Sequence, residues 1–579
     1  MSIARRGKST GSGFSGRLLF LFALMMCVGL LLLARAVQLQ TVDAGFLASQ
    51  GDQRQLRDIT VLAHRGNILD RNGEPLAVST PVDSVTANPQ LLARHAEHWD
   101  KLARMVNRAP ADVRQQLSTQ QQKSFVFLAR HLPPAEAARV RELDLEGLSV
   151  QREYRRYYPA GEVAGHVLGF TNIDDNGQEG MELAYDHWLG GRDGRKRVRQ
   201  DNRGRVLEDV ESVVQAEPGK DLHLSIDLRI QYLAYRELLA AMQAHNAAAG
   251  SVVVVDVRTG EVLAMVNQPG FNPNDRSQYV PGTYRNRAVT DMLEPGSSIK
   301  PFIVAAALES GRFEADSRID AGNGFMKIGN TILEDDHPLG VTTLAMVLAK
   351  SSNIGLAKIA LALEPQQLWG SLRQLGFGQV TASTFPGESA GILSDYSKWR
   401  QVTISSLSRG YSLSVTSLQL AQAYATLGAL GVARPVSLLR AEAAAPVGRR
   451  VLSETTARDV IDMLETVVME GGTGTKAAIP GYRVAGKTGT ARKLSGEGYS
   501  REEHVGVFAG VAPASAPRLA AVVVIDTPAA GQYYGGDVAA PVFAAVVGGA
   551  LRLQGVAPDL ADGATGRQVV PAAPAVVRR

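Results

Sequence analysis

The stretch GYRVAGKTGTAR, Gly481–Arg492, admits two readings that lead to different folds. Its first eight residues fit G-x-x-x-x-G-K-[ST], the pattern of a loop that cradles phosphate with backbone N–H groups. The apolar run Val522–Ile525, closed by Asp526, offers the strand and acid that a magnesium site would need. A phosphate loop, however, is delivered by a strand and followed by a helix whose N-terminus faces the phosphates. Upstream stands GGTGTKAAIP (471–480), turn-forming and closed by Pro480; downstream, Gly489, Gly496 and Gly498 argue against a helix. The later apolar runs read as consecutive antiparallel strands, whereas a nucleotide fold needs parallel strands with helical crossovers. The nucleotide reading is set aside.

The second reading makes Lys487–Thr488–Gly489 the last of three ordered elements, S-x-x-K, S-x-N and K-T-G, that together build a serine acyl-transfer site. The chain carries each pattern once and in that order: Ser297 with Lys300, Ser351 with Asn353, and Lys487 to Thr490. A lone S-x-x-K arises by chance in a chain of this size; the ordered trio does not. A serine hydroxyl is a poor nucleophile without a nearby base, and three residues along a helix bring Lys300 one turn from Ser297, on the same face. Gly296 before the pair and Pro301 after it mark a helix start, where proline is tolerated. The segment SSIKPFIVAAALES is apolar and ends at Gly311, so the helix is expected to be buried. Burial, and Lys487 as a second cation, would push the Lys300 pKa down and let it act as a neutral base.

Bulk composition fits an ordinary folded protein. Of 579 residues, 45% are hydrophobic and 20% charged, and the net charge of +4 is spread thinly, which speaks against a nucleic-acid partner. The single cysteine, Cys27, excludes an intrachain disulfide. It lies inside LLFLFALMMCVGLLLLA (Leu18–Ala34), an uncharged run at the lower limit for crossing a bilayer as a helix. Arg5, Arg6, Lys8 and Arg17 precede the run and the first acid after it is Asp43, so the positive-inside rule puts the N-terminus in the cytoplasm. Ala34-Arg35-Ala36 is a poor cleavage site, and Met26 is a poor neighbour for a lipidated cysteine; the reading is an uncleaved single-span anchor.

These features divide the chain into a cytoplasmic tail (1–17), an anchor (18–36), a stalk and pedestal (37–215), a main domain (216–555) and a disordered tail rich in Ala, Pro and Gly (556–579). Within the pedestal, RGNILDRNGEPLA (Arg65–Ala77) reads as strand, turn, strand around Asn72–Gly73, and residues 90–145 as helical. Residues 195–215, basic then acidic with little apolar content, read as a connection. The main domain alternates β-rich runs with a helical region from about 297 to 470, an α/β arrangement of the α+β type with an antiparallel sheet.

With EPGSSIKPF, KSSN, GKTGTAR and YYGGDVAAPVF in its main domain, and RGNILDRNGEPLA and GQEGMEL before it, the chain resembles the monofunctional (class B) penicillin-binding proteins over nearly its whole length. The nearest likeness is to the division-type transpeptidases (penicillin-binding protein 3) of Gram-negative bacteria. The resemblance implies a penicillin-binding transpeptidase fold and a D,D-transpeptidase that cross-links peptidoglycan stem peptides during septal wall synthesis. Ser297 would attack the penultimate D-Ala carbonyl of a stem ending in D-Ala-D-Ala. Ser351 would relay a proton to the leaving amine, and Asn353 would hold a substrate amide. Thr488 and Thr490 would bind the terminal carboxylate, beside Gly489, with Lys487 supplying positive potential. The backbone N–H groups of Ser297 and Thr490 would form an oxyanion hole.

Tyr533 and Tyr534 would wall the cleft, or else be core aromatics beside a glycine turn. β-Lactams would acylate Ser297. A glycan polymerase of the SEDS type and other division proteins are the implied partners, with the catalytic domain periplasmic on the inner membrane. No cofactor or metal is expected, and His337 has no partner at metal-ligand spacing. The alternatives are an elongation-type transpeptidase, a β-lactamase, a β-lactam sensor and a catalytically dispensable division scaffold. One stretch departs from the family pattern: in Arg409–Gly410–Tyr411–Ser412, a serine stands where a second glycine is usual, which could change the backbone torsions there.

Overall fold

The four valines at 252–255 are buried, and they alternate between two cores, which only a strand covered on both faces can do. The computed structural model describes residues 12–201, 206–275, 277, 282–441, 447–495 and 498–560. They form two compact units. One gathers the chain up to Ala63 with Pro81–Tyr154 and Arg192–Pro218; the other takes His64–Thr80, Arg155–Gly191 and everything from Gly219 on. Two stretches that composition groups with the pedestal, 64–80 and 155–191, thus cluster with the main domain.

In the first unit, helix α1 (Ser12–Val37) leads through a wider turn at Gln38–Val42 into α2 (Ala44–Gln55). The span Gly16–Val42 is long and apolar enough to cross a membrane. Residues 1–11 of the expected cytoplasmic tail lie outside the described residues. Strand β1 (Leu56–Val61) pairs with β2 (Gly194–Gln200), which pairs with β3 (Val206–Val214), all antiparallel. The stretch read as a connection is therefore a hairpin, and its strands match by charge. Arg197 pairs with Asp58 at 2.9 Å and Glu211 at 3.6 Å, Arg199 pairs with Glu208, and Lys196 pairs with Asp209. Short helices between Pro89 and Arg141 pack around Val85, Leu102, Leu117 and Leu128 as a separate small core.

In the second unit, α3 (Leu228–His245) precedes the hairpin β4 (Ala249–Asp256) and β5 (Val262–Gln268). Then come α4 (Lys300–Glu309), α5 (Asn353–Ala362), α6 (Gln401–Ser408), α7 (Ser417–Gly428) and α8 (Glu454–Val468). Strands β6 (Ala485–Ser495), β7 (Gly498–Ala512) and β8 (Leu519–Asp526) and helix α9 (Ala540–Leu553) close the fold. The sheet runs β5-β4-β8-β7-β6, antiparallel throughout. One face is covered by apolar side chains of α3 and α9, with Val252, Val254, Phe508 and Phe543 in that core. Against the other lie α4, α7 and α8, with Val253, Val255, Phe302, Tyr424 and Leu464. α4 is buried from Lys300 to Ala307 with Pro301 in its first turn, as the sequence predicts.

Of the tail expected to be disordered from 556, the first residues are held. Tyr482 donates its hydroxyl to the Val556 carbonyl at 2.6 Å, and Asp559 accepts from the Arg483 N–H at 2.7 Å. Residues 561–579 lie outside the described residues.

Candidate active site

Three elements from distant parts of the chain meet at the start of α4. Ser297 sits in the tight turn Gly296–Ile299 that runs into that helix, half-buried, while Lys300 is fully buried one turn on. The Lys300 Nζ donates to the Ser351 carbonyl (2.5 Å), the Ser352 carbonyl (3.3 Å), Asn353 Oδ1 (3.0 Å) and Ser351 Oγ (3.2 Å). From the sheet side, β6 delivers Lys487, also fully buried, whose Nζ donates to the same Ser351 Oγ at 3.1 Å. One hydroxyl thus stands between two amines. Ser351 holds it there with a left-handed backbone, φ +56°, a conformation that costs a non-glycine residue energy and persists only when its surroundings impose it.

Two buried amines sharing a hydroxyl cannot both keep their charge cheaply. Burial, helped by the Arg409 guanidinium and opposed by Asp335 and Asp336, brings Lys300 down to about 7. Lys487 is pushed well below its ordinary value by burial and then by the charge of Lys300. The repulsion between the two amines is mutual, and the carboxylates of Asp335 and Asp336 favour the charge on Lys300. Arg409 adds a further cation that the sequence does not point to.

K-T-G lies on β6 in register with β7, Lys487 opposite Ala509 and Thr490 opposite Gly506. Its Gly489 is the point of closest approach to the nucleophile turn: a Cβ there would fall 2.7 Å from the Pro295 carbonyl oxygen. A Cβ on Gly296 would likewise come within 3.4 Å of the backbone N, C and O of Thr490, so the backbones of the Ser297 turn and Thr490 run side by side. Thr488 Oγ1 is 2.8 Å from Thr473 Oγ1, and Thr490 Oγ1 accepts from the Gly535 N–H at 3.0 Å.

Tyr533 and Tyr534 are surface aromatics, not core. Tyr534 is 56% exposed, and Tyr533 stacks on His504 with ring centroids 4.1 Å apart. His337 is exposed, and no group of residues among those described could hold a metal ion.

Ser412 keeps a left-handed φ of +61°. The serine is held in that left-handed conformation by its N–H on Glu294 (3.1 Å) and its hydroxyl on Ser406 (3.0 Å). Glu294 also accepts from the Tyr499 hydroxyl at 2.9 Å, which ties the start of β7 to the residue three before Ser297. Gly410 is different. With φ +82°, a Cβ would lie 1.9 Å from the Gly296 carbonyl oxygen. Gly410→Ala is expected to cost about 2 kcal/mol or more, by strain and collision, and to slow any reaction at Ser297. Ser412→Gly is expected to change stability by less than about 1 kcal/mol. Urea denaturation of both variants checks the contrast.

Asp335 and Arg409 escape the reading of the sequence. Asp335 stands in EDDHPLG (334–340), but nothing local ties it to a motif sixteen positions away.

Comparison with known proteins bears on this constellation. A family model described as penicillin binding protein transpeptidase domain matches residues 250–548, and one for the penicillin-binding protein dimerisation domain matches 60–224. The chain is 41% identical to the probable peptidoglycan D,D-transpeptidase PbpC of Pseudomonas aeruginosa, over 94% of this chain and 96% of that one. It is 42% identical to the peptidoglycan D,D-transpeptidase FtsI of Escherichia coli K12, over 91% and 90%. Penicillin binding protein 3 of Mycobacterium tuberculosis, solved in complex with aztreonam, superposes with a TM-score of 0.68 at 28% identity, covering 86% of this chain and 98% of that one.

Proposed function

Since the chain belongs to the penicillin-binding protein transpeptidases, we propose that it is the peptidoglycan D,D-transpeptidase of a septal wall-building complex, with Ser297 as nucleophile. Lys300, pushed to about 7 and one turn away, accepts the Ser297 proton as the hydroxyl oxygen bonds to the penultimate D-Ala carbonyl carbon. The N–H groups of Ser297 and Thr490 receive the developing oxyanion. As the C–N bond breaks, the Ser351 hydroxyl, within reach of both lysines, passes a proton to the departing D-Ala nitrogen. An amine of a second stem peptide then attacks the ester, and the cross-link forms as Ser297 recovers its proton. Asn353 holds a substrate amide, Thr488 and Thr490 the terminal carboxylate, and Tyr533 and Tyr534 wall the cleft. A β-lactam ring opened by Ser297 leaves an acyl group in this site.

The observation that carries the reading is the Ser351 hydroxyl held between two buried amines at the helix start bearing Ser297. The apolar span Gly16–Val42 supports a single-pass inner-membrane anchor with the catalytic unit in the periplasm, where a SEDS-type glycan polymerase and other division proteins would be its partners.

The full chain in detergent, incubated with a fluorescent penicillin and digested, is expected to carry a stable label on the peptide containing Ser297. The labelling rate should climb with pH through about 7, because neutral Lys300 is the competent form and a depressed amine pKa puts that form within reach of neutral pH. Label on another residue, or label lost within seconds, would overturn the assignment.

A further inference from the structure

The strained Ser351 needs something to hold it, and Lys300 supplies only one side of the grip. On the other side is Asp335, which follows the small hairpin Phe325–Ile328 and Thr331–Glu334. Its Oδ2 accepts the Ser352 hydroxyl at 2.5 Å; its Oδ1 accepts the backbone N–H of Asn353 at 2.5 Å and of Ile354 at 3.2 Å. The Ser352 hydroxyl in turn accepts the Gly355 N–H at 2.9 Å, and Asn353 donates its side-chain amide to the Glu334 carbonyl at 2.9 Å. One carboxylate therefore secures the three residues that follow Ser351 at the start of α5. We propose that Asp335 is a positioning residue for acyl transfer: it holds the S-x-N turn so that Ser351 stays in its left-handed conformation with its hydroxyl between Lys300 and Lys487.

This inference rests on the site reading above and gives it a residue that no motif supplies. The anion matches the demands of the place. Two adjacent backbone N–H groups and a hydroxyl converge on it, and charge-assisted bonds of this kind are short and strong. Its negative charge also faces Lys300, together with Asp336 on the same loop, against Arg409 beyond α6 and Lys487 on β6. Both effects act on the reaction without Asp335 touching substrate. The bonds fix where the Ser351 hydroxyl stands, and the charge helps set when Lys300 loses its proton.

Two substitutions in the full chain separate these effects, read by the rate of labelling with fluorescent penicillin between pH 5 and 9 and by the final labelled fraction. Asp335→Asn removes the charge and one acceptor. Its plateau rate is expected to fall about 10–100-fold, the usual cost of a displaced catalytic group. The rise with pH is expected to shift to lower pH, since Lys300 loses a neighbouring anion. Asp335→Glu keeps the charge on a longer arm that cannot meet the same three donors, so its plateau should fall while the pH of the rise stays in place. In both, the final labelled fraction should remain complete, which places the loss in rate and not in folded protein; should the asparagine variant fail to fold, the glutamate variant decides. Plateaus within about threefold of the unaltered chain would overturn the inference. An unaltered chain that takes no label on Ser297 would overturn the site reading first and this inference with it.

Discussion

Ser297→Ala is expected to take up no penicillin label, and Lys300→Met to label about 10²–10⁴-fold more slowly than the unaltered chain. Without the serine there is no oxygen to form the ester, so no alternative nucleophile in the cleft should appear in the digest. Methionine fills much of the volume of the lysine it replaces, and the helix around it is buried from Lys300 to Ala307, so the fold should survive. What is lost is the proton acceptor and, with it, four hydrogen bonds to Ser351, Ser352 and Asn353. The dependence of rate on pH around 7 should also vanish, because the group that titrates there is gone. A Lys300→Met chain that labels at an undiminished rate, or keeps the same rise with pH, would assign the base elsewhere. Stopped-flow fluorescence with the full chain measures both quantities.

The largest effect on stability is expected at Glu182, in the second unit far along the chain from the site. It is fully buried and sits between two guanidinium groups: Arg65 Nε donates to Oε2 at 2.8 Å and Arg156 Nε to Oε1 at 2.6 Å. Arg65 reaches on to Asp186 at 2.7 Å, and Arg156 to the Gly66 carbonyl at 2.8 Å. Glu182→Gln keeps the shape and removes the charge, leaving two buried cations with less to answer them. Breaking a buried ion pair by neutralising one partner typically costs about 3–5 kcal/mol. Urea unfolding of the full chain should show a midpoint lowered accordingly, and a shift smaller than about 1 kcal/mol would show that the guanidinium groups find other partners.

The three motifs were legible because their chemistry is local: each needs a serine, lysine or asparagine at fixed spacing, and the order along the chain survives folding. The buried α4 and the antiparallel sheet were legible as apolar runs with turn residues between them. What stayed hidden was non-local. The strands 194–200 and 206–214 match by charge, Arg197 with Glu211 and, on β1, with Asp58, and a search for apolar periodicity passes over such strands. Asp335 finds its donors in Ser352, Asn353 and Ile354 only once the chain has folded. Ser412 stands out in the sequence as a departure from a family pattern, and only the fold shows Glu294 and Ser406 holding its left-handed backbone.

The contacts of Val556 and Asp559 have a practical bearing on how the molecule can be cut. Arg483, whose N–H Asp559 accepts, stands two residues before β6 and four before Lys487, and its side chain is anchored in turn on Glu465 at 2.8 Å. Asp559 also takes the hydroxyl of Ser515 at 2.5 Å, in the bend between β7 and β8. A stop codon placed at the end of α9 would unmoor the root of the strand that presents K-T-G, although it deletes no residue within reach of substrate. An expression boundary set beyond Leu560 keeps that mooring.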